Sequence, residues 1–167
     1  EELRREMLKL QAVHAEIGRR LAKMLSEHSN QASFAVFPEE VSTTGLANIL
    51  DNPALPAEDA KEIARFFDDI DAHAERLISE YAGRGPEAKI GREISLAKNS
   101  DPSRHADRAE ADYSMIVSGL QLPSGKKGVI GLVGPKSMKY EKNLSLMEYI
   151  AKLLGGGVGV ALVFMIK

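Results

Sequence analysis

Tyr113-Ser114-Met115-Ile116-Val117-Ser118-Gly119-Leu120-Gln121-Leu122 and Gly128-Val129-Ile130-Gly131-Leu132-Val133-Gly134 are two apolar runs separated by Pro123-Ser124-Gly125-Lys126-Lys127. Branched side chains suit a pleated surface, and a short connection containing Pro and Gly turns the chain back on itself. The expectation is an antiparallel hairpin. Pro135 then ends the second strand and fixes entry to a helix over Glu141 to Leu154, whose Leu144, Met147, Ile150 and Leu154, flanked by Leu146 and Leu153, suit packing on that sheet. Gly155 is placed to stop it.

Working outward from the hairpin, Ala88-Lys89-Ile90-Gly91 is expected as a brief strand, and the polar stretch from Lys98 to Ala111 has loop composition. From Pro56 to Tyr81 the stripe Ile63, Phe66, Phe67, Ile70, Ala74, Leu77, Ile78 and Tyr81 predicts one long helix, ended by Gly83, Gly85 and Pro86. Ser33-Phe34-Ala35-Val36-Phe37, stopped by Pro38, is expected as a buried strand. Thr43 and Thr44 are expected to cap a short helix through Leu50 that must end before Asn52-Pro53. At the start, Leu3, Met7, Leu10, His14, Ile17, Leu21 and Met24 keep to one face of a long amphipathic helix. That seam suits either the helix's own domain or a second subunit. The order of elements implies α+β, with a mainly antiparallel sheet packed by helices.

Composition narrows the function. With 167 residues, 44% of them hydrophobic, the chain is expected to close one core with an appendage. Its 22 basic and 24 acidic residues leave no overall basic field for a phosphate backbone. The charge is uneven: Asp51 to Asp112 holds 15 acidic against 9 basic residues, and Tyr113 to Lys167 holds 2 against 7. These two regions are expected either to attract each other, within the fold or across a dimer, or simply to keep the surface solvated. The absence of cysteine removes disulfides, thiolate catalysis and thiolate metal sites, and it suits a reducing cytoplasm. The opening Glu1-Glu2-Leu3-Arg4-Arg5 has neither an initiator Met nor a signal core, so it is expected to be part of something longer. The apolar run Val158 to Ile166 is far short of the roughly 20 residues that span a bilayer, so no membrane partner is expected.

No catalytic, metal or cofactor residue is nominated. His14, His28, His73 and His105 are scattered, and Ser124-Gly125-Lys126 lacks the glycine and the following Ser or Thr of a phosphate loop. Asp68, Asp69 and Asp71 point different ways on a helix, and Gly155-Gly156-Gly157-Val158-Gly159 lacks the setting of a dinucleotide fingerprint. Asn143-Leu144-Ser145 matches a glycosylation acceptor but lies in a predicted helix.

Gly128 to Tyr140, followed by Leu146-Met147-Glu148-Tyr149-Ile150-Ala151, resembles the C-terminal signature of the HrcA family of heat-inducible repressors. Gly45-Leu46-Ala47-Asn48-Ile49-Leu50 with Pro53, then Ile90-Gly91-Arg92-Glu93, resemble two further landmarks of that family, and Leu21 to Glu27 leading to Gln31-Ala32-Ser33-Phe34 resembles its entry to the sensor domain. The resemblance implies a GAF-like sensor domain and a homodimer. It also implies operator DNA read by a winged-helix head that precedes this segment, and a chaperonin as modulating partner. On this reading residues 1–30 form a linker or dimerisation helix, 31–154 the GAF-like domain, and 155–167 an apolar tail. The motif positions carried over are Gly45, Asn48, Gly91, Glu93, Gly131, Gly134, Pro135, Met138, Tyr140 and Tyr149, serving either the fold or partner contact. The chain departs from the family between Phe37 and Gly45, where members carry far more residues, and at Ser137 and Lys139, where an Arg and an acid are usual. The alternative is a free-standing GAF-like module that binds a small ligand or only dimerises, with a pocket lined by residues such as Met115 or Tyr149.

Overall fold

The computed structural model describes residues 2–5, 17–90 and 112–155. Residues 2–5 are helical. The elements that follow are α1 (Ile17–Ser29), β1 (Ala32–Phe37), β2 (Glu40–Thr44), α2 (Leu46–Leu50), α3 (Ala57–Asp68), α4 (Ile70–Tyr81), β3 (Glu87–Ile90), β4 (Tyr113–Gln121), β5 (Lys127–Pro135) and α5 (Tyr140–Gly155). Five strands form one sheet in the order β2-β1-β5-β4-β3, and every neighbouring pair is antiparallel. This is the α+β architecture, an antiparallel sheet packed by helices, that the order of elements in the sequence implies.

Strand alternation sorts the core into two layers. Phe34, Val36, Met115, Val117, Val129 and Val133 face α2, α3 and α4. Ala35, Phe37, Ile116, Leu120, Ile130 and Leu132 face α1 and α5. The β4–β5 hairpin pairs Tyr113 with Pro135 through to Gln121 with Lys127, as its sequence predicts. Central strands β1 and β5 are buried almost end to end, which explains why both are nearly continuous apolar runs.

Two expectations are corrected. Thr43 and Thr44 do not cap α2; they end β2, a strand the sequence did not announce. Their branched side chains favour the extended backbone, and the start of α2 falls to Gly45, which holds a left-handed conformation (φ 79°) with no side-chain cap. The predicted helix over 56–81 is two helices, separated at Asp69 (φ −106°, ψ 21°). The amide of Ala72 bonds the Asp69 carbonyl at 2.9 Å, a tighter turn that lets each helix seat its own stripe on a twisted sheet.

Helix α1 is part of the body: Ile17, Leu21, Ala22, Met24 and Leu25 share one apolar layer with α5, and Leu3 packs against the same layer. The seam residues Met7, Leu10 and His14 lie outside the described residues, as do the Lys98 to Ala111 stretch and the run Val158 to Ile166.

Candidate functional site

The motif positions fall into three joints between sheet and helices. At the first, Ser26 on α1 donates to the Gln31 carbonyl at 2.9 Å, and Asn48 on α2 bridges to the Ser26 hydroxyl at 2.9 Å and to that carbonyl at 3.2 Å. Gly45 is needed twice here. Its positive φ suits glycine, and a Cβ would overlap the Ser26 hydroxyl. Ser29 donates to the Leu25 carbonyl and accepts from the Gln31 amide at 3.1 Å, while Ser33 donates to the Ala22 carbonyl. A polar knot therefore fixes α1 to β1 and α2.

The second joint is the glycine row of β5. A Cβ at Gly131 would run into the Phe34 ring on one face, and a Cβ at Gly134 would run into the Gln31 side chain on the other. Neither glycine has a positive φ, so it is space that they supply. Phe34 in turn meets Phe66 at 5.7 Å and Phe67 at 6.4 Å between ring centroids, both edge-on.

The third joint carries β5 into α5. The Pro135 carbonyl accepts from the Met138 amide at 3.0 Å, and the Lys136 amide bonds the Asp112 carbonyl at 3.2 Å. The Tyr140 hydroxyl donates to the Lys136 carbonyl at 2.5 Å and lies 2.9 Å from the Ser114 hydroxyl. Met138 is buried, and Asn143, also buried, directs its amide toward the Met138 sulfur at 3.5 Å. Tyr149 packs half-buried against the α1/α5 layer. Gly91 and Glu93 lie outside the described residues.

Sequence reasoning missed Gly119 and the serines. Gly119 sits under the backbone of Tyr81 and Ala82, which a Cβ would strike, and its amide bonds the Arg84 carbonyl at 2.7 Å. Only an unexplained glycine within a strand pattern marked it.

Chemically, these joints hold no convergent set of titratable groups, and no cluster of metal-binding side chains exists among the described residues. Met115 is in the filled core rather than on a cavity wall. A depression of about 500 Å³ at the start of α5 is lined by Lys139, Tyr140, Glu141, Lys142 and Ser145 on the outer surface. Of the acidic and basic regions, Asp112 and Lys136 meet within one copy, with the Lys136 ammonium 3.8 Å from the Asp112 carboxylate. Among the described residues no helix is long and apolar enough to cross a membrane.

Comparison with known proteins gives one family. The model of the HrcA protein C-terminal domain matches residues 1–144. The heat-inducible transcription repressor HrcA of Chloroflexus aurantiacus is 27% identical over 122 residues, 70% of this chain and 31% of that protein. The HrcA of Dehalococcoides mccartyi is 34% identical over 71 residues, 42% of this chain and 17% of that protein. The HrcA of Halalkalibacterium halodurans is 26% identical over 115 residues, covering 68% and 30% of the two chains. This chain thus spans 31% or less of the length of these relatives. A crystal structure of a hypothetical protein, 21% identical, superposes with a TM-score of 0.47 over 68% of this chain and 31% of that one.

Proposed function

Because the chain belongs to the HrcA family, whose relatives above are heat-inducible transcription repressors, we propose that it is the regulatory and dimer-forming part of a repressor of heat-shock genes. Operator DNA is its indirect partner, read by a winged-helix head outside this segment. Paired heads match a two-fold operator when the bodies that carry them are themselves paired. The protein works in the cytoplasm and performs no catalysis, and a chaperonin acts on it as modulator.

One observation carries this reading: the described motif residues stand at joints that hold helices to the sheet. Gly45 and Asn48 fix α1, Gly131 and Gly134 admit neighbouring side chains, and Pro135, Met138 and Tyr140 set the entry to α5. The rings of Phe34 and Phe37 cover Gly131 and Gly128, filling space that a small-ligand sensor would leave open. The reading makes this segment a rigid carrier whose stability sets the activity of the whole.

Fluorescence anisotropy with an inverted-repeat operator duplex tests it. At physiological salt the chain alone is expected to show no preference for operator over scrambled duplex. Joined behind the winged-helix head of a relative, it is expected to bind the operator specifically and with strong salt dependence. Specific binding by the chain alone, or a fusion that binds no better than the isolated head, overturns the reading.

A further inference from the structure

The two edges of the sheet are built differently. At one edge β3 presents Glu87 and Lys89, with Arg84 2.9 Å and Lys89 3.6 Å from the Glu87 carboxylate. Charged side chains of this kind discourage another strand from adding there. At the other edge β2 reads Glu40-Val41-Ser42-Thr43-Thr44, without Pro, Lys or a bulge, and no strand among the described residues pairs with its outer side. Its one charge is turned away. The Glu40 carboxylate folds back over α1, so close to Gly18 that a Cβ there would stand 2.8 Å from Oε1. What remains along the edge is neutral and mostly β-branched.

The backbone of this edge has a defined phase. A two-residue turn, Pro38-Glu39, makes Phe37 and Glu40 a hydrogen-bonded pair, so the alternation of an antiparallel ladder turns Ser42 and Thr44 toward β1 and leaves the N–H and C=O of Val41 and Thr43 pointing outward. A second copy related by a two-fold axis through Ser42 fits that phase. Val41 then faces the second copy's Thr43 as a hydrogen-bonded pair, Thr43 faces its Val41 likewise, and Ser42 meets Ser42 as the close, non-bonded pair between them. Glu40 falls opposite Thr44, so no like charges meet. The same operation keeps corresponding faces of the two sheets on one side. Because α1 packs over β1 and β2, the two α1 helices come alongside each other.

Resting on the dimeric reading above, we propose that two copies of this chain join through antiparallel β2–β2 pairing centred on Ser42, making one continuous sheet and bringing both α1 helices to the two-fold axis. The N-terminal segments that lead into α1 would then emerge from neighbouring positions. The interface is isologous and closed, so it yields a dimer rather than a fibre.

The lack of any cysteine makes the test clean. Single-cysteine variants Ser42→Cys, Thr43→Cys and, on the distal hairpin loop, Ser124→Cys are oxidised mildly and resolved on a non-reducing gel. Ser42→Cys is expected to give predominantly a disulfide-linked dimer, Thr43→Cys much less and Ser124→Cys none, because only Ser42 faces its own copy at disulfide distance. In sedimentation, Thr43→Pro is expected to weaken association by about ten- to thirtyfold, by removing an outward amide from each copy. Its circular dichroism should match wild type, since that amide does not bond β1; Thr43→Val serves as a second variant that keeps the amide and the dimer. A wild-type dimer that persists in Thr43→Pro and gives no Ser42→Cys link overturns the β2 interface while leaving the dimeric reading intact. A chain that is monomeric at every concentration overturns both.

Discussion

The two faces of the sheet are held by different chemistry. On the α3/α4 face the core is aromatic: Phe34 meets Phe66 and Phe67 edge to face, those two rings are tilted against each other, and Gly131 exists to let the Phe34 ring lie on β5. On the α1/α5 face the fully buried core is mostly aliphatic and methionine-bearing, with Met24, Met138, Met147 and Leu153 around the single buried phenylalanine ring of Phe37, and its precision comes from a polar knot of Ser26, Ser33, Gln31 and Asn48. Rings resist displacement because their shape admits few packings, whereas Met and short hydroxyls adapt. The aromatic face therefore supplies stiffness, and the α1/α5 face, next to the N-terminal segments, holds the elements a partner could shift at lower cost.

The largest expected effect sets the faces against each other. Phe66→Ala removes a ring that two others pack against and is expected to cost about 4 kcal/mol, while Met147→Ala on the opposite face costs about 2 to 3 kcal/mol. Urea denaturation followed by circular dichroism measures both. Equal losses would show that the faces do not differ in stiffness. A smaller contrast comes from the glycines. Gly131→Ala drives a methyl into a ring that has nowhere to go and is expected to cost about 2 to 3 kcal/mol; Gly134→Ala meets the movable end of Gln31 and costs about 1 kcal/mol. Gln31→Ala should relieve most of the second loss and none of the first.

The more rigid parts were also the more legible. The β4–β5 hairpin announced itself because both strands are long and apolar with a Pro-Gly connection between them. Strand β2 did not, because an edge of five residues with four polar side chains shows no apolar run, and its threonines suit a cap as well as a strand. The break at Asp69 was invisible because the apolar stripe continues from Phe66 and Phe67 to Ile70 without losing its face; only the backbone angle changes. At the candidate site, Gly45, Asn48, Gly131 and Gly134 were legible through their family resemblance. Their partners were not, since Asn48 reaches Ser26 across 22 positions and Gly119 answers to the backbone of Tyr81 and Ala82. A serine or glycine whose role is decided by another element leaves no periodic trace.

The smallest expected effect tests whether the aromatic face is also the pH-sensitive one. His73 on α4 lies 5.1 Å from the Phe66 ring and takes a hydrogen bond at 3.0 Å from the Arg76 guanidinium, which donates to Nδ1. Burial there lowers its pKa below the ordinary 6.5; Arg76 pushes it the same way and Asp69 opposes. Its neutral form is thus the one the fold favours. Above the ordinary pKa both folded and unfolded chains carry it uncharged, and its contribution is complete. As the pH falls, the unfolded chain takes up the proton first, so stability declines with acid until the folded His73 is protonated too. His73→Gln is expected to flatten that decline, as a difference in urea midpoint from wild type between about pH 7 and about pH 5. Comparing the two proteins cancels the other histidines. A variant whose midpoint falls as steeply as wild type would take the acid sensitivity off His73 and the aromatic face.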